Sequence, residues 1–396
     1  MTLAACGGRQ ADVPKTVELP QAEAAVDAAP EAAPEPEPAI PEPTPEERRV
    51  AEVLDRLTLE QKVGQLFFVR CAEPDMDKKI LQYHLGGVLL FGQDFKDADG
   101  GWLSMDDFSA KLGSYQAASL YDTGIPLFIG SDEEGGTVTR ATRNPNLFSA
   151  KLASPQELWK RGGMEGLLNE TEPYIYRLSM LGINVNFAPV ADVSTDPGDF
   201  IYDRAFGQDA AVTADYVAQV VDVMGKAAVG SVLKHFPGYG NNVDTHTGIA
   251  IDKRARETFD TSDLLPFRAG IEAGASFVLV SHNIVTCMDA DFPASLSPAV
   301  HRVLREELGF DGVILTDDLA MDAVKASAAS GDVATLALLA GNDMLVTTDF
   351  EKQTPQVLTA VERGILPMET IDAACMRVLT AKYRLGMLGP THPMLP

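Results

Sequence analysis

Cysteine is scarce in this chain. Four occur in 396 residues, Cys6, Cys71, Cys287 and Cys375, far apart and without CxxC or zinc-ligand spacing. That argues against a disulfide framework. Long apolar runs are also missing: no stretch of about 18 apolar residues is present, so no segment reads as a bilayer-crossing helix. Bases are few, 32 Lys and Arg against 57 Asp and Glu, and the formal charge is −25. Such a surface repels a polyanion, which removes nucleic acid as a partner. No GxGxxG or GxxxxGK[ST] follows an apolar run, and no internal repeat is visible. What is present is an ordinary globular balance, 45% apolar and 22% charged. Its length allows one large domain or two smaller ones.

Residues 1–45 read as a unit of their own. Leu3-Ala4-Ala5-Cys6 is similar to a bacterial lipobox, in which Cys6 would be lipidated. A signal also needs a basic n-region and an apolar h-region of about 7–15 residues, and Met1-Thr2-Leu3 supplies neither. The plain alternative is a free cysteine in a tail. From residue 7 to about 45 the chain is rich in Ala, Glu and Pro, including Pro34-Glu35-Pro36-Glu37-Pro38. This composition cannot bury a core and predicts a disordered, extended acidic spacer. With a lipid on Cys6, the expectation is an exported protein held at the bacterial membrane by an anchor alone.

Order is expected from residue 46. Thr44-Pro45-Glu46-Glu47 has the N-cap, the proline and the glutamate of a helix start, and Thr58-Leu59-Glu60-Gln61 repeats the signal. Apolar runs then recur at Leu66–Val69, Gly87–Phe91, Pro126–Gly130, Asn184–Ala188, Gly230–Lys234, Phe277–Ser281, Gly312–Thr316 and Met344–Thr347. Between them lie amphipathic stretches such as Met76–His84, Asp107–Tyr121, Val212–Ala227, Ser262–Ala273, Pro298–Leu308 and Val333–Ala340, and Met368–Tyr383 closes the series. Continuous apolar strands alternating with helices imply a parallel sheet covered on both faces. Eight units predict an α/β fold, a TIM-like (β/α)8 barrel forming a single catalytic domain over 46–390. A doubly wound open sheet is the competitor.

Several of these runs stop at an ionisable residue. Asp132, Lys234 with His235, His282, Asp317 with Asp318, and Asp349 all fall there. Any one acid after a strand reads first as a helix N-cap. In a barrel, however, strand ends converge on one mouth, where catalytic groups collect. Paired acids at such a mouth suit glycoside hydrolysis, with Asp317 as candidate nucleophile and Lys234 and His235 as hydrogen-bonding partners of sugar hydroxyls. The loop Gly238–His246 adds Asp244 and His246, two apart, so that in extended backbone they share a side. A carboxylate on one imidazole nitrogen fixes the tautomer and leaves the other for proton transfer. A solvated loop pair is the bland reading, and a metal held by Asp244, His246 and His235 is a third.

The motifs Lys234-His235-Phe236-Pro237-Gly238-Tyr239-Gly240 and Asp244-Thr245-His246 resemble the signature of glycoside hydrolase family 3, and specifically its bacterial β-N-acetylhexosaminidases. Gly312–Met321, Ser131–Gly136 with Arg140 downstream, Asp203–Gly207 and Thr58–Gln65 are similar to further elements of that family, in the same order. The resemblance spans about residues 46–386. It implies a retaining exo-β-N-acetylglucosaminidase in which Asp317 forms a glycosyl-enzyme. His246, oriented by Asp244, would protonate the leaving oxygen and then activate water. Asp132, Arg140, Arg204, Lys234 and His235 would hold the sugar. No cofactor or metal is called for, and the expected partner is a carbohydrate, a β-GlcNAc glycoside or peptidoglycan fragment. A one-domain chain with the D-x-H loop fits the N-acetylglucosaminidases, because many relatives take the acid from a second domain. Departures are Tyr239, where the family has His, Thr137, where it has a basic residue, and a loop about one residue shorter. The alternatives are a β-glucosidase or β-xylosidase, a β-glycoside phosphorylase, and a lipid-anchored sugar-binding protein.

Overall fold

The computed structural model describes residues 42–70, 75–242, 250–321, 324 and 332–389. Thr44 caps the first helix, Pro45–Leu54, and Thr58 caps the second, Leu59–Gln65, each through a reciprocal capping box that satisfies otherwise orphaned N–H groups. Eight parallel strands follow: β1 Phe67–Arg70, β2 Gly87–Leu90, β3 Phe128–Ser131, β4 Val185–Asn186, β5 Gly230–Phe236, β6 Phe277–Val280, β7 Val313–Thr316 and β8 Leu345–Thr347. Each pairs with its sequence neighbour, and β8 pairs with β1, Phe67 against Leu345. A bridge between Leu315 and Met344 joins β7 to β8, so the sheet closes on itself as a TIM-like (β/α)8 barrel. The doubly wound alternative is thereby set aside.

Every residue of β2, β3, β5, β6 and β7 is buried, which is why these strands read as unbroken apolar runs. Inside the barrel, Phe68 stacks on Phe128 at 6.2 Å and meets Phe187 edge-on at 5.3 Å. Gly130 makes room for both: a Cβ there would lie 2.8 Å from Phe68 and 2.9 Å from Phe187.

The strands lie within two or three residues of their predicted limits. β3 starts at Phe128 rather than Pro126, because proline has no N–H for the ladder. β4 is cut to two residues as the chain turns off at Pro189, and β5 runs on to Phe236. The stretch expected as helix at Ser262–Ala273 begins in a wide turn, Phe259–Asp263, before Leu264–Glu272, and Pro298–Leu308 is likewise divided at Val303. The longest helical segment, Pro155–Met180, is broken at Gly162 and Gly163 and carries Pro173 inside, so breaker residues mask its periodicity.

Candidate active site

The C-terminal ends of the strands open on a cleft of about 450 Å³. β1 contributes Arg70, the turn after β3 Asp132, β5 Lys234 and His235, the turn after β7 Asp317 and Asp318, and the turn after β8 Thr348. Arg140 and Arg204 enter from loops. Phe91, Phe187, Leu89, Leu279 and Val346 supply apolar wall, a mixture suited to a sugar ring with its apolar faces and hydroxyl rim.

One wall is an ion network below the surface. The Lys234 ammonium, almost fully buried, sits 2.6 Å from Glu134 Oε1 and 2.9 Å from Asp132 Oδ1. Arg204 grips Glu134 with two parallel bonds, Nε to Oε2 at 3.0 Å and Nη2 to Oε1 at 2.7 Å. Such a fork fixes the guanidinium plane. Burial alone would raise the Glu134 carboxyl, but the Lys234 and Arg204 charges outweigh it and hold it at about 2. Burial works against the Lys234 charge, and Asp132 and Glu134 more than compensate, so its pKa rises.

His235 is held from both sides. Its Nδ1 lies 2.8 Å from Asp192 Oδ2, and Arg204 Nη2 lies 3.1 Å from Nε2. A guanidinium only donates, so Nε2 accepts and the ring proton sits on Nδ1 facing Asp192. Asp192 also accepts from the backbone N–H groups of His235 and Tyr239. With both ring nitrogens engaged, His235 has no lone pair left for a metal.

Asp317 stands where β7 leaves the barrel. Its N–H bonds to Val280 O at 3.0 Å, and its Oδ1 accepts from the Asp318 N–H at 2.8 Å. The carboxylate is therefore pinned at the mouth and lines the cleft. Asp318 accepts from Ala320 N and Thr348 Oγ1, and its Oδ2 is 3.8 Å from Arg70 Nη1. Burial raises the Asp318 carboxyl, with the Asp317 charge adding to it against the opposing Ala320 N–H and Arg70. Beneath the turn after β3, Glu133 is buried and accepts from Arg140 N at 2.8 Å, Thr142 Oγ1 at 3.0 Å and Ser131 Oγ at 3.1 Å. Desolvation still lifts it to about 6.

Six residues singled out in the sequence, Asp132, Arg140, Arg204, Lys234, His235 and Asp317, thus line one cleft. Asp244, His246 and Cys6 lie outside the described residues. His282 donates from Nε2 to the Asp318 carbonyl, and its Nδ1 pairs with Ser295 Oγ, behind the mouth. Trp159 packs edge-on against Phe206, away from the cleft. Sequence reasoning passed over Asp192 and Arg70, and it placed Asp318 at a strand end and Glu134 within Ser131–Gly136 without giving either a role. Asp132 and Glu134 are two apart, a spacing that lets both reach Lys234. Asp192 was hidden because the apolar run continues through Val190 and Ala191, past the end of β4.

Comparison with known proteins identifies the family of the barrel. Residues 58–381 match the family model described as the glycosyl hydrolase family 3 N terminal domain. A protein named beta-hexosaminidase LpqI from Mycobacterium tuberculosis is 31% identical over 363 residues, covering 87% of this chain and 89% of its own length. Its solved structure superposes with a TM-score of 0.74 at 29% identity, over 84% of this chain and 96% of that one. A family 3 beta-N-acetylglucosaminidase from Paenibacillus sp. FPU-7 superposes with a TM-score of 0.76 at 30% identity, over 86% of this chain. There the present chain spans 65% of the other's length. The matched segment is the barrel that carries the cleft, and the chain belongs to glycosyl hydrolase family 3.

Proposed function

We propose that this protein is a retaining exo-β-N-acetylglucosaminidase that removes terminal β-GlcNAc from peptidoglycan fragments or related glycosides. The observation that carries the reading is the Asp317 carboxylate, pinned at the barrel mouth by the Asp318 N–H and lining the same cleft as the Lys234–Arg204 network. The relatives named beta-hexosaminidase support the substrate class.

In this reading Asp317 attacks the anomeric carbon as the bond to the leaving oxygen breaks, forming a glycosyl ester. His246, oriented by Asp244, gives its proton to that oxygen. In the second step the same histidine takes a proton from water, which attacks the anomeric carbon and releases Asp317. Arg140, Arg204, Lys234 and Asp132 hold the sugar hydroxyls, and His235, engaged by Asp192 and Arg204, orients the Arg204 fork. The Glu134 charge keeps the two cations beneath them in place, so the wall is set before substrate arrives. A lipidated Cys6 followed by the Ala/Glu/Pro spacer would hold the exported enzyme at a membrane surface. Labelling with a fatty-acid probe, lost in Cys6→Ala, tests that part.

The experiment for the activity is a panel of aryl β-glycosides with and without the 2-acetamido group, assayed on wild type and Asp317→Asn. Product analysis in phosphate and in a non-phosphate buffer accompanies it. Preferential cleavage of the acetamido sugar to free GlcNAc, abolished by the substitution, is the expected result. Equal turnover of plain glucosides, sugar phosphate as product, or turnover that survives Asp317→Asn would contradict the reading.

A further inference from the structure

Arg70 ends β1 and lines the cleft, yet the ion network of the opposite wall does not use it. Its guanidinium carbon lies 3.9 Å from the centroid of the Phe91 ring, and Arg140 approaches the same ring at 5.3 Å. Asp318 Oδ2, at 3.8 Å, is beyond hydrogen-bond distance. Among the described residues the Arg70 side chain makes no hydrogen bond, and its Nε is buried without a partner. An arginine so placed has its stem and plane fixed by packing while its donors remain unspent. Ordering it on ligand binding therefore costs little.

The charge around it decides what those donors suit. Each cation of the cleft has a carboxylate within 4.0 Å: Arg70 has Asp318, Arg140 has Asp132, Arg204 has Glu134, and Lys234 has Asp132 and Glu134. Asp317 adds a further negative charge. An anionic ligand would meet repulsion from Asp132, Asp317 and Asp318 at once. A neutral group with paired oxygens meets none, and a guanidinium edge matches two adjacent oxygens.

We propose that Arg70 is a specificity-determining residue that donates to neighbouring hydroxyls of the sugar unit whose bond Asp317 breaks. Phe91 is the platform that holds it flat to the cleft. The inference rests on the glycosidase reading above and adds to it a substrate contact from the first strand.

Two substitutions test it. Arg70→Met keeps an apolar stem over Phe91 and removes the donors and the charge. Arg70→Lys keeps the charge beside Asp318 and removes the fork. For each, KM and kcat on an aryl β-GlcNAc, the calorimetric Kd for free GlcNAc, the thermal midpoint and the pH–rate profile are measured. The expected result is a rise of about tenfold or more in both KM and Kd for either variant. The pH limbs and thermal midpoint should stay near wild type. Full recovery in Arg70→Lys would mean that only charge beside Asp318 matters, and would overturn the proposal. So would a lowered midpoint with Kd unchanged, or a defect confined to carboxylate-bearing glycosides. If Arg70→Met does not fold, Arg70→Lys still decides. If the wild type cleaves none of the aryl glycosides, the glycosidase reading fails, while the Kd series still scores Arg70.

Discussion

Glu134 shows how a residue outside the lining of a cleft can govern it. It is buried beneath two cations and accepts from both. Replacing it with Gln leaves Lys234 and Arg204 short of a counter-charge in a desolvated wall, which is expected to cost about 3–5 kcal/mol. Urea unfolding measures that loss, and a raised KM should accompany it. The sign of the pH effect follows from a carboxyl held at about 2 against an ordinary 4.5. Its stabilising contribution is complete above about 4.5 and is lost as pH falls toward 2. Glu134→Gln should flatten this part of the acid-unfolding curve. A second residue-scale expectation concerns the proposed proton donor. His246→Ala should slow glycosides with poor leaving groups far more than those releasing an activated phenolate, which needs little protonation. Equal losses on both would remove the acid role. Asp317 and Lys234 with His235 were readable from sequence because each sits where an apolar run stops. Glu134, Asp192 and Arg70 were not, because their importance lies in what they touch across the barrel, Arg204, His235 and Phe91.

The strands were legible for a physical reason. A parallel barrel buries both faces, so β5 and β6 carry no polar alternation that could be mistaken for a surface strand. Their limits shifted where hydrogen bonding, which composition does not display, decides the matter: Pro126 and Pro189 lack the N–H that would extend β3 and β4. Helix interruptions were less legible, since the wide turns at Phe259–Asp263 and Val303–Glu307 keep helical periodicity while changing the bonding. Gly130 in β3 gives the element-scale prediction. Its missing Cβ is the space that Phe68 and Phe187 occupy. Gly130→Ala should destabilise by about 1–3 kcal/mol through overpacking. A urea midpoint equal to wild type would show that the aromatic cluster relaxes without strain.

For the whole molecule, pH should act on stability from the alkaline side as well. Lys382 is completely buried, donates to Gln65 Oε1 at 2.7 Å and lies 4.9 Å from the centre of the Phe128 ring. Burial lowers its pKa to about 7 from 10.5, with Cys375 opposing weakly. Between these values the unfolded chain binds the extra proton, so stability should rise with pH from about 7 to 10.5. Lys382→Met should abolish that slope, as chemical denaturation at several pH values would reveal. Among the described residues, the barrel then has the candidate site at its mouth and a buried lysine at its base. The proposed function turns on Asp317 forming a bond to the sugar. A fluorinated aryl β-GlcNAc that traps the glycosyl-enzyme, followed by peptide mass analysis, addresses this directly. A single sugar adduct on the peptide containing Asp317, absent in Asp317→Asn, is the expected outcome. An adduct mapped to Asp132 or Asp318, or steady turnover with no adduct at Asp317, would contradict it.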